Sequence, residues 1–147
     1  MGTQGTYFYR PSYGAHGEAE YALFDAGLIA ADAKLVSLDL VPVMSTSTSI
    51  SLTTNQVKGH LILVTATATI TLPAVIIGAS VTIYSTTAAA VMVDPNNNDR
   101  IILDGAAGGD GKKITSASAA GDCVTLIGDS ADGWIVIGRS GTWTMES

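Results

Sequence analysis

The stretch GDCVTLIGDSADGWIVIGRSGTW, residues 121–143, decides the fold. Two short apolar runs flank a small polar loop, which is the pattern of a β-hairpin. We expect the apolar residues of 124–127 to face 135–137, with the turn at Ser130–Gly133 and a positive φ at Gly133. Trp134 and Trp143 stand at the ends of the second run, where core packing is a better interpretation than ligand stacking. The stretch therefore predicts the closing hairpin of a β-sandwich.

Short β-rich runs follow one another from Leu38 onward. Turn residues such as Pro73 and Gly78 separate them, and Ile70 and Leu72 alternate with threonines, so that aliphatic side chains share one face. Short strands with turn signals at such spacing predict an all-β domain over 38–147, a β-sandwich or jelly roll of about eight strands. No sequence repeat of 20–50 residues is visible, which argues against a solenoid.

Residues 1–37 follow a different pattern. Residues 1–16 indicate an extended arm with clustered aromatic residues, and an apolar stripe within 17–36 predicts one short helix. The arm could pack on its own domain or on another subunit, and we expect the second, with Tyr and Arg as contact anchors. The predicted contact residues are Tyr7, Phe8, Tyr9, Arg10, Tyr13, Tyr21 and Phe24.

Composition limits the classes of partner. The chain of 147 residues is 47% hydrophobic and only 14% charged, with a net charge of −6. A neutral surface with few lysines is more typical of an assembly contact than of a free surface. No run of Lys or Arg is present, so we expect no nucleic-acid partner. The apolar stretches are too short to span a bilayer and no signal-peptide pattern begins the chain, so we expect no membrane partner and synthesis in a cytoplasm.

Two loops have compositions close to those of known ligand-binding loops. VDPNNNDRIILDG, residues 93–105, places oxygen ligands at alternating positions, but Asp99 and Gly105 stand where a calcium loop needs a glycine and an acidic residue. A turn rich in Asp and Asn is the better interpretation, with a bound ion at 94–99 as the alternative. GAAGGDGKK, residues 105–113, lacks the spacing of a phosphate-binding loop. We therefore expect no metal and no cofactor.

Catalytic patterns are also weak. The single cysteine, Cys123, cannot form an intrachain disulfide, and no motif links it to His16 or His60. A small buried side chain is the favoured interpretation for this cysteine. No G-x-S-x-G motif is present, and scattered carboxylates leave a hydrolytic pair open without arguing for one. We expect that the protein is not an enzyme and has no catalytic residues.

Several runs together resemble a β-sandwich module of tailed-bacteriophage virion proteins. The runs are ITLP (70–73), VTIYST (81–86), VDPNNNDRIILDG (93–105), GDCVTLIGD (121–129) and GWIVIGRSGTW (133–143). The module occurs in capsid decoration (cement) proteins, head fibres and tail-fibre tips, and the similarity covers roughly residues 68–143. Residues 7–35 also look like the attachment segment of a phage structural protein. No catalytic residues come with such a module.

The resemblance implies a structural virion protein that binds the outside of a capsid and bridges neighbouring subunits. Its expected partners are the major capsid protein and other copies of itself, as a homotrimer or homodimer, and its expected place is the capsid surface of the virion. A receptor-binding tip of a tail fibre or head fibre is the alternative. A small carbohydrate-binding or hydrolytic domain is a third hypothesis, and it needs a groove lined by aromatic residues.

Overall fold

The computed structural model describes residues 40–147, and the predicted arm and helix within residues 1–37 lie outside this range. The described residues form strands and connecting turns, and they include no helix with the length and hydropathy needed to cross a membrane. The strands are β1 (Val43–Thr46), β2 (Ile50–Ser51), β3 (Lys58–Val64), β4 (Ala68–Thr71), β5 (Ser80–Ser85), β6 (Val91–Asp94), β7 (Arg100–Leu103), β8 (Ala106–Ala107), β9 (Ile114–Ser116), β10 (Cys123–Ser130), β11 (Gly133–Ser140) and β12 (Trp143–Met145).

Two sheets enclose one core, so the prediction of an all-β sandwich is confirmed. The seven-stranded sheet has the order β1-β3-β5-β10-β11-β7-β8, and the five-stranded sheet has the order β12-β9-β6-β4-β2. Residues 40–147 contain twelve strands, more than the eight or so predicted. Several of the additional strands are two or three residues long, which is too short for an alternating pattern to be seen in the sequence.

The first six strands form three stacked coils. The chain passes from one sheet to the other at each step, so β1–β2, β3–β4 and β5–β6 each complete one coil. Successive coils pair in parallel: Val43 lies opposite Leu61, and Leu61 lies opposite Thr82. The backbone thus repeats about every 20 residues, as in a short solenoid. The argument against a solenoid was wrong for this segment, because the coils repeat in backbone path without repeating in sequence.

Threonines at one corner join the three coils. The Thr65 hydroxyl donates to the Thr46 carbonyl at 3.2 Å, and the Thr87 hydroxyl donates to the Thr65 carbonyl at 3.2 Å. The chain changes sheets here, which divides the run 60–73 into β3 and β4. Threonine suits such a corner because it combines a β-branched side chain with a hydroxyl that donates to a carbonyl of the preceding coil, as Thr65 does beside its own amide.

Apolar side chains from both sheets fill the core. Ile62, Ile83 and Val124 from the larger sheet and Ile70 and Val93 from the smaller one are fully buried. Each such side chain contributes about 1.5–3 kcal/mol relative to an exposed position. Both tryptophans also lie in this cluster, which confirms that they pack in the core: Trp134 is fully buried and Trp143 is 3% exposed.

The closing hairpin pairs β10 with β11 and connects them through a two-residue turn. Leu126 lies opposite Val136, but a bulge shifts the register, so Val124 lies opposite Arg139 and not opposite residues 135–137. The predicted positive φ at Gly133 is wrong, since none of residues 130–133 has one. A second register shift, between Gly128 and Ser130, leaves Asp129 unpaired in the ladder. This bulge lets the chain reverse direction without a positive φ at Gly133.

Gly128 allows β10 to approach the 75–79 loop. Its amide donates to the Ala79 carbonyl and its carbonyl accepts from the Gly78 amide, each at 2.8 Å. A Cβ at this position would overlap the Ile76 carbonyl group. A side chain here would therefore force the loop away from the sheet.

We expect Gly128→Ala to lower the free energy of unfolding by about 1–3 kcal/mol, because the methyl group displaces the Ile76 backbone. The matched control is Gly138→Ala in the same hairpin, where an added Cβ meets nothing within 4 Å. The control should stay within about 0.5 kcal/mol of the wild type. Chemical denaturation followed by tryptophan fluorescence measures both, and equal effects of the two substitutions would contradict the proposed close approach.

Candidate functional site

The contact residues predicted from the sequence lie outside the described residues. Tyr7, Phe8, Tyr9, Arg10, Tyr13, Tyr21 and Phe24 all precede Leu40, where the description begins. Their role stays a prediction. Within residues 40–147, the features that could form a contact surface are exposed apolar side chains and open strand edges.

Three of the six exposed large apolar side chains of residues 40–147 lie at the start of the first coil. Leu40, Val41 and Val43 are 67%, 61% and 59% exposed. They stand at and just before β1, which is the terminal strand of the seven-stranded sheet. We call the Val41 and Val43 side chains, together with the outer backbone edge of β1, the first-coil edge. An exposed apolar edge strand is a surface that proteins usually cover or protect.

The backbone of β1 leaves alternate residues free on its outer side. The Pro42 carbonyl accepts from the Leu61 amide at 2.9 Å, and the Thr46 carbonyl accepts from the Thr65 amide at 2.9 Å. Since both polar groups of a residue in a parallel strand point the same way, even-numbered residues face β3. The amides and carbonyls of Val43 and Ser45 therefore face outward, and no strand among residues 40–147 pairs with them.

Pro42 does not protect this edge. Proline often guards an edge strand by removing a donor from its open side. Pro42, however, lies in the inward-facing set with Met44 and Thr46, because its carbonyl accepts from β3. The donor that it lacks would have faced β3, so the outward amide of Val43 is retained.

Charge divides the described domain into two unlike ends. Residues 40–57, between Asp39 and Lys58, include no charged side chain. By contrast, the ion pairs of Arg100 with Asp132 at 2.7 Å and of Arg139 with Asp104 at 2.7 Å lie around β7 and β11, toward the other end of the larger sheet. The uncharged run was the sequence signal that could have located the first-coil edge.

The uncharged surface continues across the outer face of the larger sheet. Val43 leads a cross-strand row through Leu61, Thr82 and Thr125, none of which is charged. The hydroxyls of Thr82 and Thr125 are hydrogen-bonded to each other at 3.0 Å. A neutral surface whose hydroxyl groups already bond to each other costs little free energy to desolvate. It therefore suits contact with another protein.

A shallow groove beside β3 and β5 is less informative. It has a volume of about 380 Å³ and is wide open to solvent. Lys58 and Ser80 are the only polar side chains in its lining, and Ile77 is 71% exposed at its rim. Binding sites for small molecules usually enclose their ligand and converge several polar groups on it, so this groove supports no ligand.

The turn that follows β6 uses its buried carboxylate for the fold. Asp99 is 5% exposed, and its side chain accepts the Val75 amide at 2.7 Å. Its own amide donates to the Asn96 carbonyl at 2.7 Å, and its carbonyl accepts from the Gly111 amide at 2.8 Å. Asp99 thus joins three loops. Within residues 40–147, no three His, Cys, Asp or Glu side chains gather as metal ligands would.

The single cysteine is only half-buried, so the prediction of a buried side chain holds in part. It lies on β10 opposite Tyr84, whereas His60 lies on β3 opposite Val81. Two strand spacings and three residue rises separate them, each about 10 Å, so the two side chains cannot form a nucleophile–base pair. Burial also raises the pKa of the Cys123 thiol, which disfavours the reactive thiolate.

Exposed aromatic rings are scarce in the described domain. Trp134 and Trp143 are buried, which leaves Tyr84, at 38% exposure, as the only exposed aromatic residue of 40–147. Carbohydrate-binding grooves rely on aromatic rings that offer an apolar face with a polar rim. The described surface therefore gives no support to the carbohydrate-binding hypothesis.

Comparison with known proteins gives no relative from which a role could be transferred. No family model matches the chain, and no curated protein is significantly similar to it.

We expect Asp99→Ala to lower the free energy of unfolding by about 1–3 kcal/mol, because the buried Val75 amide loses its acceptor. Asp129→Ala is the matched control, since Asp129 is exposed and its side chain has no hydrogen bond or ion pair within the described residues. Calcium and chelator should leave the wild-type midpoint unchanged in thermal unfolding. A calcium-dependent rise that Asp99→Ala abolishes would contradict the structural role and restore the cation interpretation.

Proposed function

We propose that this protein is a structural virion protein that binds the outside of a phage capsid and stabilises it by bridging neighbouring capsid subunits. The first-coil edge is the observation that carries the proposal. It combines exposed aliphatic side chains, outward backbone groups and an uncharged surrounding surface within one small domain. Such a combination is typical of proteins that function inside an assembly.

The residues behind the phage resemblance have clear structural roles. Leu72, Ile101 and Leu126 are buried, and Gly121 and Gly141 adopt positive φ values of 91° and 77°. These positions determine how the sandwich is built, so the resemblance supports the fold directly and the virion setting only by association. The proposal therefore depends on the first-coil edge together with the aromatic N-terminal segment in the sequence.

The proposed mechanism is bridging by many weak contacts. A small domain buries modest area against each capsid subunit, but capsid symmetry repeats the contact around the shell. Attachment through both the sandwich and the N-terminal segment would raise the effective concentration of each contact for the other. No reaction, metal or cofactor is part of this function.

A receptor-binding fibre tip is the second candidate, and the coils favour it. Stacked parallel coils are quasi-one-dimensional, and an open terminal coil can be extended by further coils. The first coil is open on the outer side of β1 and of β2, within residues 40–147. A fibre could continue from this end, whereas a decoration protein would use the same end to join neighbouring copies on the capsid surface.

Copy number separates the two candidates. Quantitative mass spectrometry of purified virions would give the ratio of this chain to the major capsid protein. Decoration predicts a ratio of one to one or a simple fraction of it, because every equivalent capsid position is filled. A ratio typical of tail or fibre proteins, far below one, would favour the fibre tip, and absence from the particle would contradict both.

We expect deletion of residues 1–16 to abolish binding to undecorated capsids while the sandwich stays folded, because the buried apolar cluster of the described residues lies within 52–143. Co-sedimentation with capsids measures binding, and circular dichroism measures folding. Ile137→Ala is the control, since it removes an exposed apolar side chain from β11, away from the first-coil edge, and should leave binding unchanged. A folded deletion variant that still decorates capsids would contradict the predicted contact role of the arm.

A further inference from the structure

We infer that the first-coil edge is a self-association surface, where β1 of one molecule pairs antiparallel with β1 of a second copy. This inference identifies an interface between copies of the chain, so it does not depend on the virion role. It starts from the outward amides and carbonyls of Val43 and Ser45, which no strand of residues 40–147 satisfies.

The spacing of the outward groups is self-complementary. In an antiparallel pair, residues that exchange two hydrogen bonds alternate with residues that exchange none. A two-fold axis at Met44 places Val43 of each copy opposite Ser45 of the other. Both residues face outward, so each such pair exchanges both of its N–H···O bonds, while the two Met44 residues form the non-bonded pair between them.

Parallel pairing of two copies does not satisfy the same groups. A two-fold axis along the strand would place Val43 opposite Val43. The two Val43 amides would then lie at the same height along the strands, where neither finds a carbonyl acceptor. A parallel ladder instead requires outward residues of one strand to lie opposite inward residues of the other. The antiparallel arrangement is therefore the one that closes with two copies, and closure limits the assembly to a dimer.

Charge favours a second copy at this surface over other parts of the molecule. Two chains with a net charge of −6 each repel one another in general. The 40–57 segment includes no charged residue, so two copies can approach there without bringing like charges together or burying an unpaired one. At the opposite end, Asp104, Asp110 and Asp132 form ion pairs with Arg100 and Arg139, and a contact between copies there would have to desolvate these charged groups.

The side chains agree with this register. Val41, Val43 and Ser45 alternate on the same side of the strand, and Val41 and Val43 are both more than half exposed. Antiparallel pairing about Met44 would set these aliphatic side chains beside their neighbours from the second copy. The two larger sheets would then join into one continuous sheet, in which Val43 lies beside Ser45 of the second copy and the open backbone edge is covered.

Two substitutions at the edge test the inference in the full-length chain. Val43→Lys adds a charge to an exposed position that each copy contributes to the pair. Ser45→Pro removes an amide that faces outward, so the ladder between β1 and β3 is retained. Ile137→Lys is the matched control, because Ile137 is also an exposed strand residue, at 60%, but lies on β11.

Sedimentation velocity over a range of concentrations gives the assembly state. We expect a wild-type dimer, an unchanged dimer for Ile137→Lys, and dissociation constants at least about tenfold higher for both edge variants. Circular dichroism checks that each variant is folded. A wild type that stays monomeric, a trimer, or edge variants that associate like the wild type would each overturn the inference.

Hydrogen exchange provides a readout that does not rely on substitution. The Val43 and Ser45 amides of the wild type should become more protected as concentration rises, because the second copy supplies their acceptors. The Met44 amide, which faces β3, should be protected at every concentration. Protection of Val43 and Ser45 that persists in the monomer at high dilution would show that the chain covers its own edge, and would overturn the inference.

Discussion

Backbone pairing between successive coils is the constraint on which the structure depends. Each sheet gains one strand per coil, so β3 and β4 are held in place by β1 and β2 on one side and by β5 and β6 on the other. The buried aliphatic side chains then meet between the sheets because each coil contributes to both. The antiparallel strands that follow, above all the β10–β11 hairpin, complete the larger sheet beside β5 and so close one end of the stack. The beginning of the stack has no equivalent closure within residues 40–147.

The low charge and the high threonine content of the chain suit this arrangement of coils. A coil that changes sheets every few residues needs many corners, and each corner leaves carbonyl groups outside the ladders. The hydroxyls of Thr65 and Thr87 donate to carbonyls of the preceding coil, and the Thr46 carbonyl accepts from both the amide and the hydroxyl of Thr65. Long charged side chains would be costly where coils stack closely, because their heads would compete for space with the next coil. The low charge and high threonine content of the chain therefore have a structural origin, besides any role in assembly.

The sequence predicts some parts of this fold well because their signals are local. The alternation around Ile70 and Leu72 locates a strand face, and the two tryptophans mark the core at the closing hairpin. The parallel coils could not be predicted, because pairing of Val43 with Leu61 depends on contacts between segments that share no sequence repeat. The turn at Gly133 was assigned a positive φ because glycine is common in such turns, whereas the bulge after Gly128 makes that conformation unnecessary. The first-coil edge was missed because exposure of Val41 and Val43 is set by where the sheet ends.

The two ends of the domain also explain why fold and function are separable here. Asp99, Gly121 and Gly141 fix loops of the sandwich, so the fold itself accounts for these residues. By contrast, the exposed side chains of Val41 and Val43 at the uncharged end add nothing to the buried cluster of the described residues. A surface that the core does not constrain is free to differ between proteins with the same fold. Partner choice is therefore best sought at the first-coil edge and in the residues that precede it, where the chain departs from what the fold itself requires.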